Sequence, residues 1–417
     1  MNILTSTFDT YKKFQEESPF LKIFQIILFI WIFSIPLKNS IYQISTTLLI
    51  IIFFIQYFYY KEKTILLEIL TTYKRLFIVF LLFLGSMALS NLIGISEQSA
   101  LIDVFKYFIR YLFILVILLY FYKQSFFSRK WLLAAIFIVL SIHALDGIYQ
   151  YITGFDLIMN KSPDRPSYLL TGAVFQHNPF GLFMAIGAML SLTLFFDKNN
   201  HTLFKYDKVI YFTSLLLFLF TLFHSQSRAA WVMFGIYFIA FMFVYIKKNG
   251  INKKLFSTLV SLLIVSIILF LFDDNLSHRL TLLLQGNSAG RTTQIWPFII
   301  EKITNAPMFG YGIDTYKTLT NGFPSSRHAG VHNLTLELLL YTGVVGFSLF
   351  SYLIWLTLKE SFTEHKIVYF MLFASYIILM QFDGSLITGK LHTTIFILIL
   401  FFIYSFRLEK NTSSSLK

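Results

Sequence analysis

Leu112-Phe113-Ile114-Leu115-Val116-Ile117-Leu118-Leu119-Tyr120-Phe121-Tyr122 runs eleven residues without a charge, a glycine or a proline. Leu48-Leu49-Ile50-Ile51-Ile52-Phe53-Phe54-Ile55 does the same for eight. Working outward from such cores, a helix needs about 20 mostly apolar residues to cross the hydrocarbon of a bilayer. Twelve segments meet that reading: Phe20–Ile35, Ile41–Tyr60, Leu76–Gly94, Phe105–Tyr122, Trp131–Tyr151, Pro179–Phe196, Val209–His224, Ala229–Ile246, Leu255–Phe272, Leu334–Leu358, Ile367–Leu386 and Leu391–Phe406. Ala229–Ile246 is short enough to dip into the bilayer rather than cross it.

Composition agrees. Hydrophobic residues make up 56% of the 417, charged residues only 13%, and mean hydropathy is +0.69. Soluble domains run at about half apolar and a quarter charged. The chain is therefore expected to be an all-α polytopic integral membrane protein. The 50 Phe and 24 Tyr suit lipid-facing surfaces and interfacial belts. There is no cysteine, which excludes disulfides and thiol chemistry. The first apolar run, Ile23–Pro36, lacks a small-residue cleavage site and reads as a retained span.

Orientation follows from Lys and Arg. With both termini on the cytoplasmic side, 22 of the 34 basic residues fall in inner loops, and the bias holds at every short loop. The net charge of +13 is thus mostly an orientation signal set against membrane lipids, and no nucleic-acid partner is implied. Residues 1–417 read as one membrane domain, with a polar tail at 411–417 expected to be unstructured. One long outer loop, Asp273–Asn333, interrupts the short connections and carries five of the remaining basic residues.

Four outer stretches carry chemistry. In the first, Arg165-Pro166-Ser167 leads to His177-Asn178-Pro179, where Asn178 reads as an N-cap and Pro179 as N1. In the second, Ser225-Gln226-Ser227-Arg228 joins two apolar spans with one charge, which is costly unless it finds counter-charge or water. The third is Gly290-Arg291 before Thr292–Thr304, whose Ile295, Phe298, Ile299 and Ile303 line one face of an amphipathic helix. Pro297 places the start of its regular part near Trp296. Arg291 then stands at a helix N-terminus, where free N–H groups already favour anions and a planar guanidinium can grip two phosphate oxygens. In the fourth, His328 and His332 precede Asn333, a plausible cap; neutral imidazole suits general-base work near neutral pH. Ala329-Gly330 between the two histidines argues against the helical spacing a metal pair would need. Lys106 and Arg110 share a face of the fourth span with Asp103 nearby, either a salt-bridged helix end or the rim of an outer cavity.

In this order the four stretches resemble the O-antigen ligase family, which includes O-antigen polymerases and bacterial protein O-oligosaccharyltransferases. The matching residues are Arg165 to Gly181, Ser225–Trp231, Gly290–Gly312 and His332–Gly346; the first four spans match only in hydropathy and Lys106. The resemblance implies an inverting glycosyltransferase in the bacterial inner membrane, with its active site facing the periplasm. It would move a glycan from undecaprenyl diphosphate to the lipid A-core oligosaccharide, with no cofactor and no metal. His332 would be the base; Arg228, Arg291, Lys106 and Arg165 would bind the diphosphate; His328, His177 and Trp296 would support them. Polymerase is the nearest alternative, then protein oligosaccharyltransferase. A transporter of lipid-linked saccharide would need charges buried along a path, and the spans hold few away from their ends.

Overall fold

The structure, a computed structural model, describes residues 19–37, 39–59, 63–96, 100–162, 169–174, 176–197, 207–288, 290–320, 330–363, 366–382, 386–387 and 389–414. Its helices are α1 (Pro19–Phe33), α2 (Asn39–Tyr59), α3 (Lys63–Thr72), α4 (Lys74–Ile93), α5 (Ala100–Lys123), α6 (Arg129–Thr153), α7 (His177–Phe196) and α8 (Asp207–His224). They continue as α9 (Arg228–Asn249), α10 (Lys253–Phe272), α11 (Asp274–Leu284), α12 (Trp296–Asn305), α13 (Tyr316–Leu319), α14 (Leu334–Ser361), α15 (Ile367–Leu379) and α16 (Lys390–Ser414). Among the described residues, ten helices are long and apolar enough to cross a membrane, and α1 and α15 are shorter apolar helices. The chain is a multi-pass, all-α membrane protein.

Four local readings change. The span expected at Ala229–Ile246 is a 22-residue helix, long enough to cross, because Arg228 and Lys247 to Asn249 continue it at both ends. The N-terminus expected at Asn178-Pro179 lies earlier: α7 starts at His177 after extended Gln176, so Asn178 is inside the helix and does not cap it. The fourth span begins at Ala100 rather than Phe105 and contains one wide π turn, Phe108–Phe113. Its extra turns tolerate charge because Lys106 pairs with Asp103 three residues away, at 2.6 Å. At the other end of the chain, α16 runs through Ser414, four residues into the polar stretch read as a tail.

Depth in the bundle varies sharply. The apolar window of α16 is 89% buried and that of α10 only 18%, so α16 is the central helix and α10 a lipid-facing one. Polar groups on the central helices satisfy one another, as the lack of water in hydrocarbon demands. Tyr42 meets Thr394 at 2.9 Å, and Tyr376 donates to the His392 carbonyl at 2.7 Å.

The feature that fixes the outer end is a break in α14. Gly343 adopts φ 60°, ψ −167° inside the helix. This frees two turns of backbone for the segment after α12. Tyr311 N donates to Leu340 O (2.8 Å) and Gly312 N to Tyr341 O (3.0 Å). In return Val344 N donates to Pro307 O (2.8 Å) and Val345 N to Met308 O (3.2 Å). On its far side the same segment meets α4, where Ile313 N donates to Asn91 Oδ1 at 2.7 Å and Ile95 N to Tyr311 O at 3.0 Å. The outer loop is thereby sewn between α4 and α14.

Candidate functional site

The turn between α8 and α9 is built by close packing. A Cβ on Gly181 would lie 2.5 Å from Ser225 Oγ, so α7 approaches the Ser225-Gln226-Ser227 turn as closely as a backbone can. One residue earlier, Phe180 fills the space over Gly147 and Gly172. Leu170 N donates to His224 O, and Gln150 Oε1 accepts from Thr171 N and Gly172 N. The described part of the first stretch, from Leu170 on, therefore forms one packed unit with the second. His177 sits at its margin, at the start of α7.

His224 ends α8 and holds the outer loop at its root. Its Nδ1 donates to the Phe220 carbonyl at 2.9 Å, while Nε2 faces the Asp273 carboxylate at 3.3 Å. The other Asp273 oxygen accepts from Asn275 N and Leu276 N, capping α11. Gln226, in the left-handed region at φ 53°, accepts at Oε1 from Arg279 Nε at 3.0 Å.

Three arginines converge on this turn. Arg228 Nη1 donates to Leu282 O at 3.3 Å and to Asn287 O. Its guanidinium lies within electrostatic reach of Arg279 and Arg291. Arg291 Nη1 donates to Phe382 O. Among the described residues, neither Arg228 nor Arg291 forms an ion pair with a carboxylate. Arg291 Nε, Gln226 Nε2 and Ser227 Oγ are also buried donors with no acceptor there. Like charges within electrostatic reach of one another repel, and buried donors without acceptors are costly. An anion with several oxygens relieves both.

The fourth stretch reaches the same place through the loop after α15. Leu334 N donates to Met380 O at 2.9 Å, Asn333 Nδ2 to Gln381 O at 3.0 Å, and Thr335 Oγ1 to Gln381 Oε1 at 2.9 Å. Arg291 and His332 thus flank one short loop, 380–382. Asn333 caps α14 as its sequence suggests, accepting from Leu336 N at 2.9 Å. Trp296 Nε1 donates to Val331 O at 3.1 Å, tying α12 to the residue before His332. His332 itself is held at φ 54°, a conformation uncommon outside glycine and asparagine.

The helix read at Thr292–Thr304 is a π turn over Arg291–Ile295 followed by α12 from Trp296, with Ile295 and Ile299 buried. Arg291 opens this element after Gly290 at φ 84°. Lys106 is engaged elsewhere, in its pair with Asp103 and beside Asp314 and Lys317. Partial burial and the Asp103 charge raise the Asp314 carboxyl above its ordinary value, with Lys317 and Lys106 opposing. Arg165 and His328 lie outside the described residues. Sequence reading passed over Arg279 and Gln226. Arg279 looked like one more loop cation, and only the short reach from α11 back to the turn distinguishes it.

Residues 213–351, from the middle of α8 through the break in α14, match the family model described as O-antigen ligase. Over that stretch the chain is similar to the O-antigen ligase family. The matched region contains Arg228, Arg279, Arg291, Trp296 and His332. Curated relatives agree. A Rickettsia conorii protein named "Putative polysaccharide ligase" is 29% identical over 177 residues, covering 39% of this chain and 40% of that one. Rickettsia typhi has a protein of the same name, 30% identical over 203 residues and covering 43% and 47%. The chain spans less than half the length of the curated relatives it matches.

Proposed function

We propose that this protein is an O-antigen ligase of the bacterial inner membrane, with both termini cytoplasmic and Asp273–Asn333 in the periplasm. In this reading it transfers a glycan from undecaprenyl diphosphate to a hydroxyl of the lipid A-core oligosaccharide. The observation that carries it is the pair Arg228 and Arg291, side by side with no carboxylate partner among the described residues, and His332 across the same short loop. The diphosphate oxygens lie against the guanidinium groups, with Arg279 and the unpaired donors of Gln226 and Ser227 next to them. The acceptor hydroxyl attacks the anomeric carbon from the face opposite the diphosphate. A new C–O bond forms as the bond to the diphosphate breaks, so the configuration inverts. The hydroxyl proton goes to His332, and undecaprenyl diphosphate leaves with its charge offset by the arginines. Lys106 and Arg165 are assigned a helping role in phosphate binding, and His177, His328 and Trp296 a supporting one.

Lipopolysaccharide from a deletion strain, with and without the gene restored, tests the reading. Core free of all polymer, regained on complementation, is the expected result. Core capped by a single repeat would instead make the enzyme a polymerase, and unchanged lipopolysaccharide would reject both.

A further inference from the structure

A large cavity lies at the end of the bundle opposite the arginines. Arg228 opens α9, and Lys248 near its other end lines the cavity, so about 30 Å of helix at ~1.5 Å per residue separates the two. The hollow measures about 2010 Å³. Its depth is apolar, with Leu140, Phe183, Leu190, Phe241, Leu372 and Phe402 among its walls. Its mouth is cationic. Lys74, Arg75, Arg129 and Lys130 line it from the starts of α4 and α6. Lys248, Lys359, Lys366 and Arg407 line it from the ends of α9, α14 and α16 and the start of α15.

Among the described residues, two carboxylates, Asp197 and Glu360, join these eight cations in the lining. Glu360 is already spent on Lys366 at 2.6 Å and Arg407 at 2.5 Å. Beside the rim, Tyr352 and Trp355 are 44% and 50% exposed and stack at 5.5 Å, with Lys359 Nζ 5.1 Å from the Trp355 ring. Exposed Trp and Tyr at a helix end mark headgroup level in a bilayer. A soluble anion would use the rim and leave the apolar depth empty. A zwitterionic lipid would fill the depth and bring no net negative charge to the rim.

We propose that this cavity binds an anionic phospholipid of the leaflet opposite the arginine site, its acyl chains in the hollow and its phosphate at the cationic rim. Basic pockets between membrane helices bind such headgroups, and each basic side chain near an anionic surface contributes about fivefold.

The test uses the full chain in nanodiscs of equal phosphatidylcholine and phosphatidylglycerol, with retained lipid read by native mass spectrometry. Retention of phosphatidylglycerol over phosphatidylcholine by at least about tenfold is expected. The rim variant Lys74→Gln/Arg75→Gln/Lys130→Gln/Lys359→Gln, which leaves the Glu360 pairs intact, should lose that preference. The variant Lys22→Gln/Lys63→Gln/Lys247→Gln/Lys253→Gln removes the same charge from the same end outside the cavity and should keep it. Leu190→Trp narrows the hollow with every cation in place and should lower retention too, which holds the test open if the rim variant does not fold. Equal retention of both lipids by the parent, or equal loss in the rim and outside variants, would overturn the proposal.

Discussion

Gly343→Ala separates a glycine that happens to lie in a helix from one that holds the outer loop in place. At φ 60° and ψ −167° the position is in a region open essentially to glycine, at a cost of about 1–3 kcal/mol for any other residue. An added Cβ would also stand 2.3 Å from Met308 C and O, both backbone atoms that cannot rotate away. Relief requires the segment to lift, breaking the four hydrogen bonds between 307–312 and 340–345. At about 1 kcal/mol net for each bond, lifting costs about 4 kcal/mol, whereas staying docked costs about 1–3 kcal/mol of backbone strain and, on top of it, a clash between backbone atoms far inside contact distance. The clash decides the balance in favour of lifting. The expected result is local undocking, since α4 and α14 still pack below the break.

A single cysteine at Thr315, a residue only 2% exposed, reports the event in this otherwise cysteine-free chain. Its labelling by an impermeant thiol reagent should rise by more than 100-fold in Gly343→Ala, and glycan transfer should be lost with it. Gly310→Ala, whose Cβ would meet Leu340 O at 2.5 Å, should behave alike. Gly85→Ala and Gly235→Ala have nothing within 4 Å and should leave both readouts unchanged. Parent-like labelling and transfer in Gly343→Ala would refute the view that the break in α14 holds the loop.

Arg228→Lys and Arg291→Lys keep the charge but lose the planar fork; each is expected to cut transfer by about 10–100-fold, the worth of a charge-assisted bond, measured with purified protein and lipid-linked donor. His332→Ala should lose about 10²–10⁴-fold in rate while donor binding persists, with the parent active in chelator; strong transfer by the variant would remove His332 from the base role. Asn333→Ala should lower the thermal midpoint through a lost cap of about 0.5–2 kcal/mol and weaken transfer by freeing Gln381 O; Asn333→Asp, which can still cap but cannot donate to Gln381 O, should keep the midpoint and share the loss of transfer. A lone cysteine at exposed Thr293 should react with an impermeant reagent in cells with a permeabilised outer membrane; reaction only after lysis would invert the proposed orientation.

The bundle was legible in the sequence because its signals are local. An uncharged run long enough to span hydrocarbon has one economical conformation, and basic loops bias its direction. Arg228, Arg291 and the Asn333 cap were legible for a similar reason, each being a residue type that its immediate neighbours make costly or useful. Gly343 was not. It sits in Leu338–Phe350, a run that reads as unbroken helix, and a glycine in such a run is ordinarily a tolerated weakness. Its function depends on Met308, 35 residues earlier, and no pattern within either stretch records the contact.

The same reasoning explains why charge alone was a poor guide to which cations share a site. Lys106 lies in a span that resembles the family only in hydropathy and in that lysine, and its partner is Asp103, one turn away, a pairing that lets α5 begin at Ala100. Arg279 lay in a loop already counted as basic and drew no attention, yet it reaches Gln226 and stands within reach of Arg228. What distinguishes them is the acceptor each guanidinium or ammonium finds. Arg228 and Arg291 spend donors on the carbonyls of Leu282, Asn287 and Phe382, which orient the groups without neutralising them. A carboxylate in those positions would neutralise the guanidinium groups and remove the basis of the proposed anion site. Backbone carbonyls at those places are set by the turn after α11 and the loop after α15, and the sewn segment at Gly343 fixes where α12 lies between them. The cations are written in the sequence; the acceptors that orient them, and on which the proposed phosphate binding depends, come from the backbone that surrounds them.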